Sequence, residues 1–496
     1  MDNHQLWAGV DVGTQSLRVV VADDAGTVVG QGSHALASRR AGDRHEQDPA
    51  GWWHALGAAF RQALRTAPAD RVAALAICGT SGTFLLAGTD GTPRTPALMY
   101  DDARAGAEAE DVAAAGDDQW PPPGYTVQPS WALPKLLWLL RHGDADLRAD
   151  LAAGTVGLLH CGDYLATRLT GERVATDWST ALKTGYDLDR GAWPAGVLDT
   201  LGIPLAALPP VVRPGSTIGT VGRAGAEHTG LPPGVPVLAG MTDGCAAQIA
   251  AGALAPGSWN SVLGTTLVLK GVTRTRLADP AGAVYSHRHP DGGWLPGGAS
   301  NVGAAALAER FPGADRAGMD RAAAGHEPSG GLIYPLRTRG ERFPFVRPSA
   351  EGFEIGTFAD DADRYAAVLQ GVAYVERLCY AHLRRLGASV TGPLSLTGGA
   401  TRSRYWSQLR ADILGREVTL PATAEPAFGM AVLAAAGDGP VAAAARRMVR
   451  VAGVLAPRPG ARDRFAEPFG RFVDALADRG YIDDELARYA KEGEHG

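Results

Sequence analysis

The fold is decided by the stretch LWAGVDVGTQSLRVVVA, residues 6–22, close to the start of the chain. Apolar residues at 6–10 and 17–22 predict two strands, and the polar run at 11–16 between them predicts a tight turn. A second turn signal at 23–26 leads to a predicted third strand at 27–29. The stretch therefore predicts an antiparallel β-meander that opens an α/β chain.

Beyond the meander, predicted helices and strands alternate, and their order begins again near residue 237. The first half continues with a helix, a strand pair and two helices, at 51–66, 72–77 with 83–87, 135–141 and 164–169. The second half has a buried strand, a small-residue helix, a strand–turn–strand unit, a long helix and a strand, at 237–240, 246–254, 258–272, 361–386 and 394–396. Two halves on one plan predict two domains, residues 1–250 and 251–496.

Composition excludes several classes of protein. The 496 residues predict about two to four domains at roughly 150 residues each. Hydrophobic residues make up 45% and charged residues 20%, which is typical of a globular protein, and the formal net charge is −6. The chain thus offers no basic surface for nucleic acid or for a membrane. The sequence shows no signal peptide at residues 1–5 and no transmembrane run, so we expect a cytoplasmic protein.

The four cysteines are far apart in sequence and form no CxxC pair. Each lies in an apolar or glycine-rich context, which predicts buried free thiols rather than a zinc site or disulfides; they are Cys78, Cys161, Cys245 and Cys379.

The polar turn of the meander is the first candidate site. Gly13 leaves room for a ligand beside the backbone, and successive turn amides can bind an anion. The carboxylate of Asp11 is a candidate metal ligand, and the turn also offers Thr14, Gln15 and Ser16. The alternative is a plain hairpin whose aspartate caps the turn.

Two further candidates lie where the second half begins. Gly264, Thr265 and Thr266 repeat the chemistry of the first turn, and two such turns favour phosphate binding. Asp243 stands between a predicted strand and a predicted helix. It is either a general base that takes a hydroxyl proton from an acceptor or an ordinary helix N-cap.

A fourth candidate follows the predicted strand at 394–396. The paired glycines of Gly398 to Ser403 permit close packing of a flat ligand, with Trp406, Gln408 and Asp412 downstream. The alternative is a strand-to-helix turn with Trp406 in the core. No GxxxxGK[ST], GxGxxG, HExxH or GxSxG pattern supports a P-loop, Rossmann, zincin or α/β-hydrolase site.

Together these segments resemble the FGGY carbohydrate kinases, from about Trp7 to Gly437. The turns at 11–16 and 264–266 look like the family's two phosphate motifs, and 398–400 with Trp406 looks like its adenosine motif. The segment from Leu98 to Arg104 is similar to the family's aromatic-x-Asp-x-Arg motif in the sugar pocket. The resemblance implies two actin-like, ribonuclease H-like ATPase domains that face each other across a catalytic cleft.

The resemblance leaves two acceptor sugars open, D-ribulose and D-xylulose. Residues 181–187, 285–288, 297–301 and 340–344 look like plant and cyanobacterial kinases assigned to D-ribulose. Residues 46–49 with Trp52 and Trp53 look more like xylulokinases, which keeps D-xylulose open. Xylulokinases generally show Met-His before the glycine of the pocket strand, where this chain has Thr80 and Ser81. This difference favours D-ribulose.

The resemblance also implies a role for each matched residue. Asp243 would be the catalytic base, and Asp11 would act in catalysis by positioning Mg²⁺. The two turns would contact the phosphates of ATP. The sugar would contact Ser81, Asp101, Asp102, Asp243 and Gly244. The adenosine would contact Gly398, Gly399, Ala400 and Ser403. A homodimer fits the family. The competing class is a non-catalytic sugar sensor or chaperone-like ATPase on the same fold. No role is predicted for residues 442–496.

Overall fold

The computed structural model describes residues 5–116, 120–122 and 124–492. Residues 1–4, part of the segment 1–5 for which no signal peptide was predicted, lie outside the described residues. The described chain forms two compact units. Unit 1 contains the residues up to 252 together with 287–292 and 423–449, and unit 2 contains 253–286, 293–422 and the chain from 450 onward.

The strands, in chain order, are β1 Leu6–Val12, β2 Ser16–Asp23, β3 Val28–Ala35, β4 Ser38–Ala41, β5 Arg44–Gln47, β6 Val72–Gly79, β7 Phe84–Gly88, β8 Ala97–Leu98, β9 Val156–His160, β10 Thr176–Asp177, β11 Val211–Val212, β12 Thr217–Thr220, β13 Pro236–Leu238, β14 Trp259–Leu263, β15 Leu267–Gly271, β16 Tyr285–Arg288, β17 Trp294–Ser300, β18 Gly331–Tyr334, β19 Phe353–Gly356, β20 Leu394–Thr397, β21 Val418–Pro421 and β22 Val451–Leu455.

The α-helices, in chain order, are α1 Pro49–Ala63, α2 Gly106–Ala114, α3 Ala132–His142, α4 Ala145–Ala153, α5 Cys161–Thr170, α6 Trp178–Ala181, α7 Ala195–Leu201, α8 Arg223–Thr229, α9 Asp243–Ala250, α10 Ala305–Arg310, α11 Arg316–Ala323, α12 Asp361–Arg385, α13 Arg404–Leu414, α14 Pro426–Ala436, α15 Val441–Met448, α16 Ala461–Arg464, α17 Ala466–Asp478 and α18 Asp484–Glu492.

Unit 1 is built on a six-stranded sheet in the order β12-β13-β6-β1-β2-β3. The predicted meander is confirmed, because β1, β2 and β3 are antiparallel neighbours. On its other side β1 pairs in parallel with β6, and β6 pairs in parallel with β13. The carboxyl ends of β1, β6 and β13 therefore share one edge of the sheet.

The two strands predicted at 72–77 and 83–87 are confirmed as β6 and β7, but the prediction that they pair with each other is wrong. β6 belongs to the six-stranded sheet, whereas β7 pairs with β8 and β9 in a separate sheet, in the order β4-β5-β8-β7-β9. The turn between them, with Thr83 N donating to Thr80 O, redirects the chain. Phe84 and Leu86 then pack in a different apolar cluster from Leu75 and Ile77.

Unit 2 repeats the central arrangement in a seven-stranded sheet, β16-β17-β15-β14-β20-β21-β22. The antiparallel pair β14 and β15 confirms the predicted strand–turn–strand unit, and β14 also runs parallel to β20. Helix α12, predicted at 361–386, is buried along most of its length. Its Glu376 holds the buried guanidinium of Arg410 on α13 at 2.7 Å.

The compact units differ from the predicted division at residue 250, because 423–449 packs in unit 1. Helix α14 lies so close to β1 that a Cβ at Gly9 would be 1.9 Å from the Ala427 carbonyl oxygen. A Cβ at Gly429 would be 2.0 Å from the Ala246 carbonyl oxygen on α9. Glycine at both positions thus permits the contact that buries this apolar helix.

All four cysteines are free and buried, as predicted. In the described part of the chain no single helix is long and apolar enough to cross a membrane; only α14 and α15, bent by 119°, meet that test together. The segment from 450 to 492 forms β22, α16, α17 and α18, and α17 and α18 contribute Phe469, Phe472 and Leu486 to the core of unit 2.

Candidate active site

The candidate residues of unit 1 follow three neighbouring parallel strands. Val12 at the end of β1 pairs with Gly79 at the end of β6, and Gly79 forms a parallel bridge with Thr242 beyond β13. Asp11 near the end of β1, Ser81 in the turn after β6 and Asp243 directly after Thr242 therefore lie at one edge of the sheet. Ligands of open α/β sheets bind at the carboxyl edge.

The turn after β1 is closed by a hydrogen bond from Gly13 N to Ser16 O, 3.1 Å long. The carbonyl of Thr14 accepts from the Gln47 side chain at 2.7 Å, and the carbonyl of Gln15 accepts from Leu36 N. Because the C=O and N–H groups of a trans peptide point in opposite directions, the next amides along the turn point away from these two partners. The turn can thus present N–H groups to an anion.

Asp11 is almost completely buried, near the end of β1. Burial, the largest cause, and the charge of Asp243 together raise the pKa of its carboxyl to about 7, although Arg18 acts to lower it. The Cys78 thiol donates to Oδ1 of Asp11 at 3.6 Å. The carboxyl groups of Asp11 and Asp243 thus lie near enough for the charge of one to raise the pKa of the other.

Asp243 is not the N-cap of α9, so that alternative is wrong in detail. Thr242 has the extended backbone of the capping position, and Asp243 is the first helical residue. Its Oδ1 accepts from Gly244 N at 2.7 Å, and the residue is half-buried. A carboxylate in the first turn of a helix is stabilised in its charged form by the helix dipole.

Residues from β10 and α6 fix the backbone before Asp243. Thr242 N donates to Ser179 Oγ at 3.1 Å, and Ser179 Oγ donates to Oδ1 of Asp177 at 2.6 Å. Asp177 is buried and also caps α6, and burial raises the pKa of its carboxyl to about 6. This network of three residues holds the start of α9 in place.

Ser81 lies in the turn between β6 and β7. Its Oγ is buried and has no hydrogen-bond partner among the described residues. Gly82 follows with φ of +90°, as the third position of a type II turn requires. The hydroxyl is therefore available for a polar ligand.

Asp101 is partly exposed and is held by two basic groups. Arg40 donates to its Oδ2 at 2.7 Å, and the ring of buried His45 contacts Oδ1 at 2.5 Å. Burial alone would raise the pKa of Asp101, but these hydrogen bonds and charges outweigh it and lower the pKa. Asp101 therefore stays ionised and able to accept hydrogen bonds.

Asp102 has no exposed surface, in contrast to the predicted contact with a ligand. Its carboxylate accepts from Arg104 through both oxygens at 2.7–2.8 Å and from His45 N at 2.7 Å. Arg104 also pairs with Glu46 at 2.7 Å. Asp102 thus orients its neighbours inside the unit.

In unit 2, the turn at 264–266 is also closed by a hydrogen bond from its glycine, although this bond spans one residue fewer than the bond from Gly13 N to Ser16 O. Gly264 N donates to Thr266 O at 3.1 Å, and the carbonyl oxygen of Gly264 accepts from Ala304 N at 2.9 Å. A Cβ at Gly264 would enter open space, and Thr265 is exposed. The backbone is therefore accessible to an anion.

The turn after β20 leaves the same edge of the sheet as the 264–266 turn, since Val262 pairs with Thr397 in parallel. Gly398 has φ of +89°, and a Cβ there would be 2.6 Å from the Leu263 carbonyl oxygen. Gly399 borders open space, and Ala400 is buried. Gly399 is thus the position at which a flat ligand has room beside the backbone.

Ser403 and the residues that follow it have structural partners. The hydroxyl of Ser403 caps α13 by accepting from Trp406 N and donates to Asp320 at 2.7 Å. Trp406 is a core residue, as the alternative reading predicted. Gln408 and Asp412 bind the backbone of 456–458, which fastens the segment after β22.

The glycines of this turn give a matched pair of variants. Gly398→Ala should destabilise unit 2 by about 1–3 kcal/mol or more, because φ near +90° and the short contact both exclude a side chain. Gly399→Ala should leave stability unchanged but raise the KM for the nucleotide. Thermal melts and steady-state kinetics test both; equal melting temperatures for the two variants would contradict the assignment.

The sequence analysis assigned no site role to His45, Ser179 or Lys135, although Lys135 lies in the helix predicted at 135–141. Lys135 is fully buried on α3, and its Nζ donates to Gly82 O at 2.9 Å and Met99 O at 2.7 Å. A lysine within a run of leucines was the available signal.

The carboxyl groups of Asp11 and Asp243 are oxygen ligands of the kind that suit one divalent cation such as Mg²⁺. No cluster of three or more His, Cys, Asp or Glu suited to a metal occurs in the described residues. Mg²⁺ commonly binds through one or two carboxylates and completes its shell with water and phosphate. The raised pKa of Asp11 beside Asp243 marks negative charge that such an ion would compensate.

Comparison with known proteins identifies the family. Residues 6–250 match the N-terminal domain, and residues 259–437 the C-terminal domain, of the FGGY family of carbohydrate kinases. A xylulose kinase of Streptomyces rubiginosus is 33% identical over 492 residues, covering 95% of this chain and 96% of the relative. A xylulose kinase of Streptomyces coelicolor is also 33% identical, with the same coverage.

A solved structure supports the assignment. The crystal structure of xylulose kinase from Rhodospirillum rubrum superposes with a TM-score of 0.83 at 28% identity, covering 96% of this chain and 100% of that one. The fold is therefore the two-domain actin-like, ribonuclease H-like ATPase fold predicted from the sequence. The chain belongs to the FGGY family of carbohydrate kinases.

Proposed function

We propose that this protein transfers the γ-phosphoryl group of ATP to the terminal hydroxyl of a pentulose, D-xylulose, to give D-xylulose 5-phosphate and ADP. The observation that carries the proposal is the position of Asp243, which lies beside Asp11 at the carboxyl edge of the sheet. The names of the relatives, xylulose kinases at 33% identity along nearly the whole chain, support the choice of sugar.

Asp243 is the proposed general base. Phosphoryl transfer passes through a loose transition state, so catalysis rests on alignment and on stabilisation of charge. One carboxylate oxygen of Asp243 is held by Gly244 N, which orients the side chain. The carboxylate can then accept the proton of the attacking hydroxyl as the O–P bond forms.

Asp11 and the two turns are the proposed binding groups for Mg²⁺ and ATP. Asp11 would hold the ion, directly or through water, since Mg²⁺ gives up its water reluctantly. Such an ion would supply positive charge to neutralise the charge that develops on the transferred phosphate. Each turn, 13–16 and 264–266, is assigned to phosphate on its own backbone geometry, and Gly398 to Ala400 are assigned to adenosine.

Ser81, Asp101 and Gly244 are the proposed contacts of the sugar. Ser81 has a free buried hydroxyl and Asp101 an ionised, partly exposed carboxylate, so both suit a polyol. Asp102 is proposed instead as a positioning residue, because Arg104 and His45 occupy its carboxylate.

D-Ribulose is the second candidate acceptor. The observation that favours it is Ser81, which stands where xylulokinases generally carry histidine. A serine hydroxyl is smaller than an imidazole ring and forms different hydrogen bonds, so it changes the surroundings of one sugar hydroxyl. D-Xylulose and D-ribulose differ in the direction of one hydroxyl, so such a change can alter which of them is preferred.

A coupled ADP-release assay with Mg²⁺ and ATP tests the proposal. It compares D-xylulose, D-ribulose, L-ribulose, glycerol and no sugar. We expect the highest kcat/KM with D-xylulose. A preference for D-ribulose would keep the chemistry and change the acceptor. ADP release that no sugar stimulates would contradict the proposal and favour a sensor or chaperone-like ATPase.

Ser81→Ala tests the sugar pocket. Because Ser81 Oγ has no partner among the described residues, its loss should leave the melting temperature unchanged. The KM for the sugar should rise about tenfold, the size expected for one lost hydrogen bond to the ligand. The KM for ATP is the internal control. An unchanged KM for the sugar would remove Ser81 from the pocket.

A further inference from the structure

We infer that Lys135 is a positioning residue that sets the spacing of the two turns from which the acceptor sugar is recognised. The inference rests on the proposed function, because it assigns these turns to the sugar. Lys135 lies on α3, outside both turns, and its ammonium group is fully buried.

The first turn held by Lys135 is 80–83, between β6 and β7. Lys135 Nζ donates to Gly82 O at 2.9 Å, directly after Ser81. Thr83 N donates to Thr80 O and closes the turn, and the two threonine hydroxyls are 2.6 Å apart. The position of the Ser81 hydroxyl therefore depends on where the Gly82 carbonyl is held.

The second turn is 99–102, directly after β8. Met99 O accepts from Lys135 Nζ at 2.7 Å and from Asp102 N at 3.0 Å. Met99 N in turn donates to His45 O. The same carbonyl that begins the turn carrying Asp101 is thus bound to Lys135.

One ammonium group therefore links two turns that lie far apart in sequence. Ser81 and Asp101 keep their separation only while both carbonyls bind the same Nζ. A shift of about 1 Å in a group that positions a substrate can lower the rate about 100-fold. Sugar epimers differ in the direction of one hydroxyl, so their discrimination depends on this spacing.

The composition of the chain points to a specific need for lysine at this position. Of the 47 basic residues only four are lysines, and the others are arginines. Arginine presents a planar fork of five donors and stays charged, whereas lysine offers a compact group that can give up its proton when buried. Burial lowers the pKa of Lys135 to about 7, in keeping with this environment.

The test compares Lys135→Met and Lys135→Arg with a destabilised control, Leu137→Ala. Leu137 is buried on the same helix, and two positions along the helix place it about 200° away. Kinetics are measured for D-xylulose, D-ribulose and ATP, together with melting temperatures.

We expect both Lys135 variants to lose about 10- to 100-fold in kcat/KM for the preferred pentulose, and to discriminate the two pentuloses less well. The KM for ATP should change less than threefold, roughly the limit for a site that is not perturbed. Leu137→Ala should melt at a lower temperature and keep both the sugar KM and the discrimination.

The outcomes separate the inference from the proposed function. If the wild type phosphorylates a pentulose and Lys135→Met retains its sugar kinetics, the inference is wrong and the function stands. If Leu137→Ala loses sugar discrimination to the same extent, the effect is general destabilisation and the inference is wrong. A wild type that no sugar stimulates contradicts both.

Discussion

Asp243→Asn is expected to lower kcat by about 10²–10⁴, the contribution typical of a positioned general base. Asparagine keeps an oxygen that can accept from Gly244 N, so α9 should begin as it does in the native chain. What it loses is the ability to take a proton. Steady-state ADP release with saturating sugar measures the effect.

The controls for this variant are the melting temperature and the stabilisation by Mg²⁺ and ATP, both of which should stay close to the wild-type values. Asp438→Asn, an exposed carboxylate of the same unit, should retain full activity. A kcat within tenfold of the wild type would show that Asp243 serves only the start of α9.

Asp11→Asn should inactivate the enzyme and, without metal, stabilise it. Burial and the charge of Asp243 raise the pKa of Asp11 from 3.8 to about 7. The unfolded chain loses this proton near pH 4, whereas the folded protein keeps it up to about pH 7. The free energy of unfolding therefore falls as the pH rises from about 4 to 7. At about 1.4 kcal/mol per pH unit, the full cost is at most about 4 kcal/mol.

Melting curves in EDTA between pH 5 and pH 8 test this prediction. The variant should melt several degrees above the wild type at pH 8, and the difference should shrink as the pH falls. Asp438→Asn is again the matched control and should show no difference. A variant that melts below the wild type at pH 8 would mean that the ionised Asp11 carboxylate stabilises the folded protein, which would contradict the prediction.

Local sequence signals predicted the elements that local patterns determine. The apolar runs at 6–10 and 17–22, separated by a polar turn, predict the meander that the structure shows. The glycines and hydroxyl residues at 13–16 and 264–266 likewise predict two similar turns, and a hydrogen bond from the glycine N–H closes each of them. In each unit the turn directly follows an inner strand of the sheet, so the sequence of the turn itself predicts where the candidate phosphate site lies.

Partners far apart in sequence were not predictable. Strands β6 and β7 follow each other like a hairpin, yet they pair in different sheets because the turn at 80–83 redirects the chain. Helix α14 is apolar on every side, so its sequence predicts that it is buried. The sequence does not predict that the helix packs against Gly9 of β1.

The site shows the same limit at the level of single residues. Sequence alone treats Asp101 and Asp102 as equivalent neighbours, but only contacts with Arg40, His45 and Arg104 show which carboxylate is enclosed. Likewise Thr242, rather than Asp243, proved to be the helix cap, a difference of one residue that backbone angles decide.

The most direct test of the account is the identity of the product. Wild-type protein is incubated with Mg²⁺, ATP and D-xylulose, and the phosphorus products are followed by ³¹P NMR with proton correlation. The account predicts one phosphate ester on the terminal C5 oxygen of the sugar, formed in equal amount with ADP. Inorganic phosphate as the only new species beside ADP would contradict it.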